Sequence, residues 1–470
     1  MDFIEVTKLT LPRRVENTLQ EQSISFETIE SFVCEDIYTA MDDDKGEFRK
    51  VIRVVGFTHE SEKYLAVLPF TYFLDYKIFS DLMGFEAAVL SSDELDALFK
   101  SFEPPSHPPI ETLVKAKIIV DSSVLDMEEV YLDSGSAGTF LKLNKVATNL
   151  LFNGCDSMPF AKSSEHLFAG KDVDNKNDEV DLRFTPTRLK QRVDETFDLP
   201  TMPDIAQDIM KLRVDPSADA AKLAKIVARD PSLAAQVVSW ASSPYYGYQG
   251  KIDSIDTAIA RVLGFELVMN LALGISIGKS LNVPKEGPLG VNEFWRQAIY
   301  TANLAEKLCR AMPIKQRPER GLIYLAGLLH NFGHLLLGHI FPPQFKLVNQ
   351  SILANPHVSV EDIEHYILGV GHEEIGAWLM QNWHMPEELI VAVHRHHQEE
   401  FWSKHSVYSN LVLVANRLLK TLDIGDSVMK NIPQTTLELL SLEADDIEKA
   451  LDELKNESES LDIMAKQLVA

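Results

Sequence analysis

Hydrophobic and polar positions change rhythm along the chain. Up to residue 152, short runs rich in β-branched and aromatic residues predict strands: VIRVVGF (51–57), YLAVLPF (64–70), AKIIVDSS (116–123), EEVYLDSG (128–135) and GTFLKL (138–143). RRVENTLQEQ (13–22) predicts a helix. A second is expected with Phe79, Leu82 and Met83 on one face, and a third at ELDALFKSF, before the loop EPPSHPP (103–109). Residues 1–152 therefore read as a mixed α/β domain. The stretch 153–195, with KDVDNKNDEVD, loses hydrophobic period and reads as an acidic polar linker.

From 196 the period becomes helical. TMPDIAQDIMKL places Ile205, Ile209 and Leu212 on one stripe. DPSADAAKLAKIVARD starts a helix at Ser217 and points Leu223, Ile226 and Val227 inward. The next helix carries Asp230 as N-cap and Pro231 at its first position. Residues 254–281 give two helices joined near Gly264. Others follow at 292–311, 319–338, 359–368, 372–383, 386–400 and 406–421. The expected organisation is an all-α bundle over 196–420, with a C-terminal helical extension over 421–470, and no fixed-period repeat is found.

Composition narrows the partners. Seventy acidic residues stand against 45 basic, a formal net charge of −25. Such a surface repels phosphate backbones and anionic lipid, so neither a nucleic-acid nor a membrane role is expected. No apolar stretch of the ~20 residues that span a bilayer is evident, nor a signal peptide. The three cysteines, Cys34, Cys155 and Cys309, show no CxxC spacing, and a cytoplasmic location is expected.

The chemistry concentrates in histidine. Eleven of 14 histidines fall between His330 and His405. Imidazole is the commonest metal ligand and the usual acid or base near neutral pH. AGLLHNFGH presents His330 and Asn331, GHEEIGAWLM presents His372, AVHRHHQEE presents His396 and His397, and VANRLL presents Asn416. This order resembles the HD superfamily of metal-dependent phosphohydrolases. LPTMP (199–203), the turn at Asp230–Leu233, SIDTAIARVLG (254–264) and FWRQAIYTANLAEKL (294–308) are similar to its HDOD subfamily, over about 190–420.

The resemblance implies a fold shared with the hydrolases and a regulatory role, mainly in bacteria. Gln297 stands in the seat of the first metal-binding His, Asn331 in that of the Asp of the His-Asp pair, and Asn416 in that of the final Asp. Glu293 resembles an extra carboxylate ligand of the related HD-GYP group. His330, His372, His396 and His397 remain. An amide keeps the shape of a carboxylate without its charge, and a bimetallic centre needs bridging anions. The expectation is a discharged pocket, with Asn331 and Asn416 as mutual hydrogen-bond partners. His396 and His397, adjacent on a helix, should point in different directions, and His330 and His334, four apart, could both be structural, the expected reading for His334, while His330 stays with His372, His396 and His397 as a candidate ligand of any residual metal. No cofactor is expected, although three or four imidazoles suffice for a single zinc-like ion.

The N-terminal domain carries a second resemblance. KYLAVLPFTYFLDYKIFSDLMGFEAAVLSSDELDAL and KIIVDSSVLDMEEVYLDSGSAGTFLKL are similar to the YbaK/prolyl-tRNA deacylase fold, over about 5–152. That family depends on a lysine, for which Lys50 is the best match and Lys45 the next. The loop at Ser101–Pro109 has no glycine, so it departs from a substrate-cradling pattern. Lys50 is then expected to be a solvated strand-edge residue. The expected function is that of a non-catalytic regulator, a pseudoenzyme binding a protein or small signalling ligand in its degenerate pocket. The alternatives are an HD-type phosphohydrolase acting on a nucleotide or other phosphate ester, and an aminoacyl-tRNA deacylase. Oligomeric state is left open.

Overall fold

The computed structural model describes residues 11–32, 36–43, 45–103, 105–165, 167, 200–242, 246, 248–252 and 254–469. The chain divides into two compact units. The first is mixed α/β and the second is helical, as the hydrophobic rhythm predicts.

In the first unit β2 (Ile52–His59) and β3 (Glu62–Pro69) form an antiparallel hairpin. With β5 (Ala88–Val89) and β9 (Asp156–Met158) at its edges, it extends into a five-stranded sheet of order β5-β2-β3-β6-β9, where β6 (Lys117–Asp121) pairs parallel with β3. A three-stranded antiparallel sheet holds β1 (Glu27–Glu30), β8 (Thr139–Asn144) and β7 (Glu129–Asp133). All five expected strands form. Side chains alternate between the faces of a strand. Leu65, Val67, Ile118 and Val120 accordingly enter one core with Val15 and Leu19. Ala66, Leu68 and Ile119 enter another with Phe79 and Phe160.

Several expectations need correction here. Two short strands, β9 (Asp156–Met158) and β10 (Ala161–Ser163), lie inside the stretch expected as linker, pairing with β6 and β4 (Tyr72–Leu74). The remainder of that stretch lies outside the described residues. In the helix Tyr76–Met83, Tyr76 and Phe79 are buried whereas Leu82 is exposed.

The largest departure is one of boundaries. Leu347–Tyr366, from the middle of the expected 196–420 domain, belongs to the first unit. The fully buried Asn355 accepts from Leu74 N (2.8 Å) and Arg53 Nη2 (2.7 Å), and donates to Leu74 O (3.0 Å). Arg53 Nη1 donates to Ala354 O (2.8 Å). Tyr366 OH donates to Asp75 (2.7 Å), and Ile37 N to His357 O (3.0 Å). Buried polar groups need partners, and this segment finds them on β2, β4 and the helices beside them.

The second unit is built of helices. Asp230 caps Pro231–Ala241 as expected, whereas Ala220–Val227 is capped by Asp219, not by Ser217. Gly264 separates a π turn ending at Leu263 from the helix Phe265–Gly278. The long helix Val291–Ala311 packs against Arg320–Leu329, Ser406–Lys420 and the C-terminal helix Ala444–Val469. Lys307 Nζ donates to Glu457 (2.7 Å) and Tyr300 OH to Asp462 (3.0 Å) across the last of these contacts. The expected helix 319–338 is in fact two, Arg320–Leu329 and Phe332–Ile340. Taken together, Arg320–Ile340 is long and apolar enough to cross a membrane, so the expectation of no such stretch does not hold, and its apolar window is wholly buried.

Candidate functional site

The break at His330–Asn331 makes the site. His330 closes the helix Arg320–Leu329, and Asn331 leaves helical geometry before the chain resumes at Phe332. Next to it Gly333 meets the helix His372–Asn382 at very close range. A Cβ on Gly333 would lie 1.9 Å from His372 O, so only glycine permits this approach. The crossing sets the rings of His334 and His372 4.0 Å apart between centroids.

His396 and His397 complete a cluster. The helix Glu387–Arg395 stops before them, with His396 as its C-cap. Helical divergence of neighbouring side chains therefore does not apply, and both rings converge on His372, a correction to the expected divergence. The Nε2 atoms of His372 and His396 are 3.4 Å apart, and those of His397 and His372 are 3.1 Å apart. The His330 ring lies 5.0 Å from that of His396. His330 Nδ1 lies 2.7 Å from Gly327 O, and His396 Nδ1 lies 2.8 Å from Val393 O. A carbonyl only accepts, so both rings carry hydrogen on Nδ1 and a lone pair on Nε2. Burial pushes His330 down to about 4 and His396 well below the usual imidazole range, so both are neutral bases at neutral pH.

The pocket is not discharged. Asp426 lies in it, supplied by the stretch expected only as a helical extension. After Ser406–Lys420 the chain turns, buries Ile424, and passes through Gly425 at φ +92°. A Cβ on Gly425 would lie 2.9 Å from the Gln297 amide. The turn delivers Asp426 to two donors, Gln297 Nε2 on Oδ1 (2.5 Å) and Asn331 Nδ2 on Oδ2 (2.7 Å). Burial alone would raise the Asp426 pKa. Attraction to the facing imidazoles of His397, His372, His334 and His330, where these are protonated, outweighs it, so the shift of the carboxyl is downward.

The expected Asn331–Asn416 pair does not form. Asn416 Oδ1 accepts from Thr301 Oγ1 (2.9 Å), while Asn331 is committed to Asp426. His330 Nε2, Asn331 Oδ1 and Asn416 Nδ2 are buried without hydrogen-bond partners. Glu293 is exposed on the first turn of its helix and makes none of these contacts. Sequence reasoning missed Asp426 because it stands on a turn, where periodicity says nothing, and beyond the resembling motifs. Its one local signal is the Gly before it.

In the first unit Lys50 is not a solvated strand-edge residue. It ends a short 3-10 turn, lies 3.2 Å from both Glu47 and Glu129, and donates to Tyr131 OH (3.2 Å). The Tyr131 hydrogen bond, then those carboxylates, raise its pKa. Opposite the loop 101–109, the backbone donors of 135–137 are taken by this unit's own side chains, that of Ser136 by Ser134 Oγ (3.2 Å) and the other two by carboxylates. Gly135 N donates to Asp133 (2.8 Å), and Ala137 N to Glu103 (3.1 Å).

Comparison with known proteins agrees with the helical reading. Residues 199–399 match the HDOD domain. Over 98% of its length the chain is similar to a candidate signal transduction protein from Marinobacter aquaeolei VT8. The two are 32% identical, the match spans 100% of that chain, and the TM-score is 0.81. The chain belongs to the HDOD-domain proteins, with a mixed α/β unit before the helical one. It is also 24% identical over 271 residues to an uncharacterized protein of Treponema pallidum (strain Nichols), and the match spans 57% of this chain and only 51% of that one. Over 32% of its length it is 18% identical to a candidate trans-editing enzyme for prolyl tRNA synthetase, with a TM-score of 0.27, too slight a likeness to carry a role.

Proposed function

We propose that this protein is a regulatory signal-transduction module whose helical unit binds a small signalling ligand or a protein through the histidine–aspartate pocket, without hydrolysing a phosphate ester. One observation carries this reading: the amides of Gln297 and Asn331, in two of the seats where the hydrolases place metal ligands, are spent as hydrogen-bond donors to Asp426. A two-metal hydrolytic centre needs a bridging carboxylate where Asn331 stands, and a neutral amide engaged as a donor does not bridge. The likeness to a candidate signal transduction protein over nearly the whole chain supports a signalling role.

The test uses the full chain. Nucleotides, cyclic dinucleotides and simple phosphate esters are screened for turnover with Mg2+ or Mn2+, and for a shift in melting temperature. The expected result is no phosphate release, with at least one ligand raising Tm in the parent protein but not in Asn416→Leu. Metal-dependent phosphate release that disappears in His330→Ala would contradict the reading.

A further inference from the structure

We infer that the helical unit carries a second ligand site, a cleft for a small zwitterion of the α-amino-acid class. Its carboxylate would meet a helix N-terminus, Ser276, Arg229 and Lys279, and its ammonium would meet Asp204. None of these residues belongs to the histidine–aspartate pocket, so the inference stands apart from the proposed function.

The cleft holds about 320 Å³, at the lower end of the ~300–1,000 Å³ of small-molecule sites. One side of it is the start of the helix Asp204–Arg213. Pro203 is the N-cap there, and no side chain caps the first turn. The first helical bond runs from Gln207 N to Pro203 O (2.9 Å), so the N–H groups of Asp204, Ile205 and Ala206 have no acceptor within the helix. Such an end favours an anion.

Ser276 supplies the independent sign of a ligand. It lines the same cleft from the helix Phe265–Gly278, is only 7% exposed, and its Oγ has no hydrogen-bond partner. A helical serine readily donates back to a carbonyl three or four residues earlier. Ser242 does so to Val238 O (2.8 Å), and Ser280 to Ile277 O (2.6 Å). Ser276 does not, and a buried hydroxyl without a partner is destabilising until something accepts from it.

Charge decides the class of ligand. Lys279 Nζ gives two of its three hydrogens to Asp230 Oδ2 (3.1 Å) and Ser232 Oγ (2.9 Å), and Arg229 Nη1 donates to Asp208. Each base keeps donors for a ligand. Asp230 is spent, since its Oδ1 accepts from Ser232 N (2.9 Å) and Leu233 N (3.1 Å). These pairs neutralise the two bases. Asp204, on the first turn, then remains with a carboxylate that pairs with no described residue. The cleft thus offers donors for an anion beside one uncompensated negative charge. A phosphate would be repelled by Asp204, and a plain cation by the helix terminus and the two bases. A molecule carrying a carboxylate and an ammonium group satisfies both ends. Pro203 and Ile205 give its side chain an apolar wall.

The test is calorimetric titration of the full-length protein with the free proteinogenic amino acids one by one, then with the amide and N-acetyl derivatives of the tightest binder, and with inorganic phosphate. At least one free amino acid is expected to bind saturably, one molecule per chain, and each derivative to bind about tenfold more weakly or worse, having lost one charged group. Ser276→Ala should weaken the free amino acid about tenfold. Asp204→Asn should weaken the free amino acid but leave the N-acetyl derivative unchanged. Both variants should keep the parent Tm, because one loses an unpartnered hydroxyl and the other an exposed carboxylate. Should Ser276→Ala fail to fold, Asp204→Asn and the derivatives decide. The inference is overturned if no amino acid binds at millimolar concentration, if the N-acetyl derivative binds as tightly as the free amino acid, if phosphate binds more tightly than any amino acid, or if affinity is unchanged in Asp204→Asn.

Discussion

At the scale of single residues, the pocket is defined by which groups are charged. His330 sits in full burial with its pKa pushed down to about 4, while an unfolded imidazole titrates near 6.5. Between those values the unfolded chain binds more protons than the folded one, so this group's contribution to stability is present above pH 6.5 and is lost as pH falls toward 4. The difference is on the order of 3 kcal/mol. His396 shifts in the same direction, with Asp426, His372 and His397 facing it or its neighbours. In chelator, the melting temperature should therefore fall steadily from pH 7 to 4.5, and the fall should be shallower in His330→Gln. A flat profile across that range would contradict the assignment of His330 as a buried neutral base.

At the scale of elements, the sequence made most helices and strands legible because their faces are periodic and their caps are explicit. The five expected strands, Asp230 with Pro231, and the hinge at Gly264 all stand where the pattern put them. What escaped were positions set by termination and close approach. The break at His330–Asn331 is marked in the sequence only by that polar pair before Gly333, and the apolar period resumes so soon after it that the two helices read as one. His396 and His397 looked divergent because the helix was carried past its true end at Arg395. Asp426 depends on a turn that hydrophobic pattern cannot place. That turn also makes its own prediction. Gly425 has φ +92° and no room for a Cβ beside Gln297, so Gly425→Ala should cost about 1–3 kcal/mol in urea unfolding. A cost below about 0.5 kcal/mol would mean that the turn does not hold Asp426 as described.

At the scale of the whole molecule, the chain order and the folded units disagree. The segment Leu347–Tyr366 leaves the helical half after His334 and returns just before His372, yet its buried polar groups are satisfied by Arg53, Leu74, Asp75 and Ile37 of the first unit. A boundary drawn from composition at residue 196 could not show this, because the segment is as helical in pattern as its neighbours. A fragment of residues 200–470 would bare Asn355 and the apolar face around Ala354. That fragment should be poorly soluble, or melt well below the full chain, in size-exclusion and thermal measurements. A monomeric fragment with the full chain's Tm would show that the segment does not need the first unit.

The central claim is that amides at 297 and 331 serve a carboxylate at 426. The most direct measurement is the thermal melt of Asn331→Asp in chelator at pH 7, alone and combined with Asp426→Asn. The single substitution places a second acid against Asp426, so its Tm should fall by several degrees, and the double variant should recover most of that loss. An Asn331→Asp protein as stable as the parent, or a double variant no better than the single, would contradict the account.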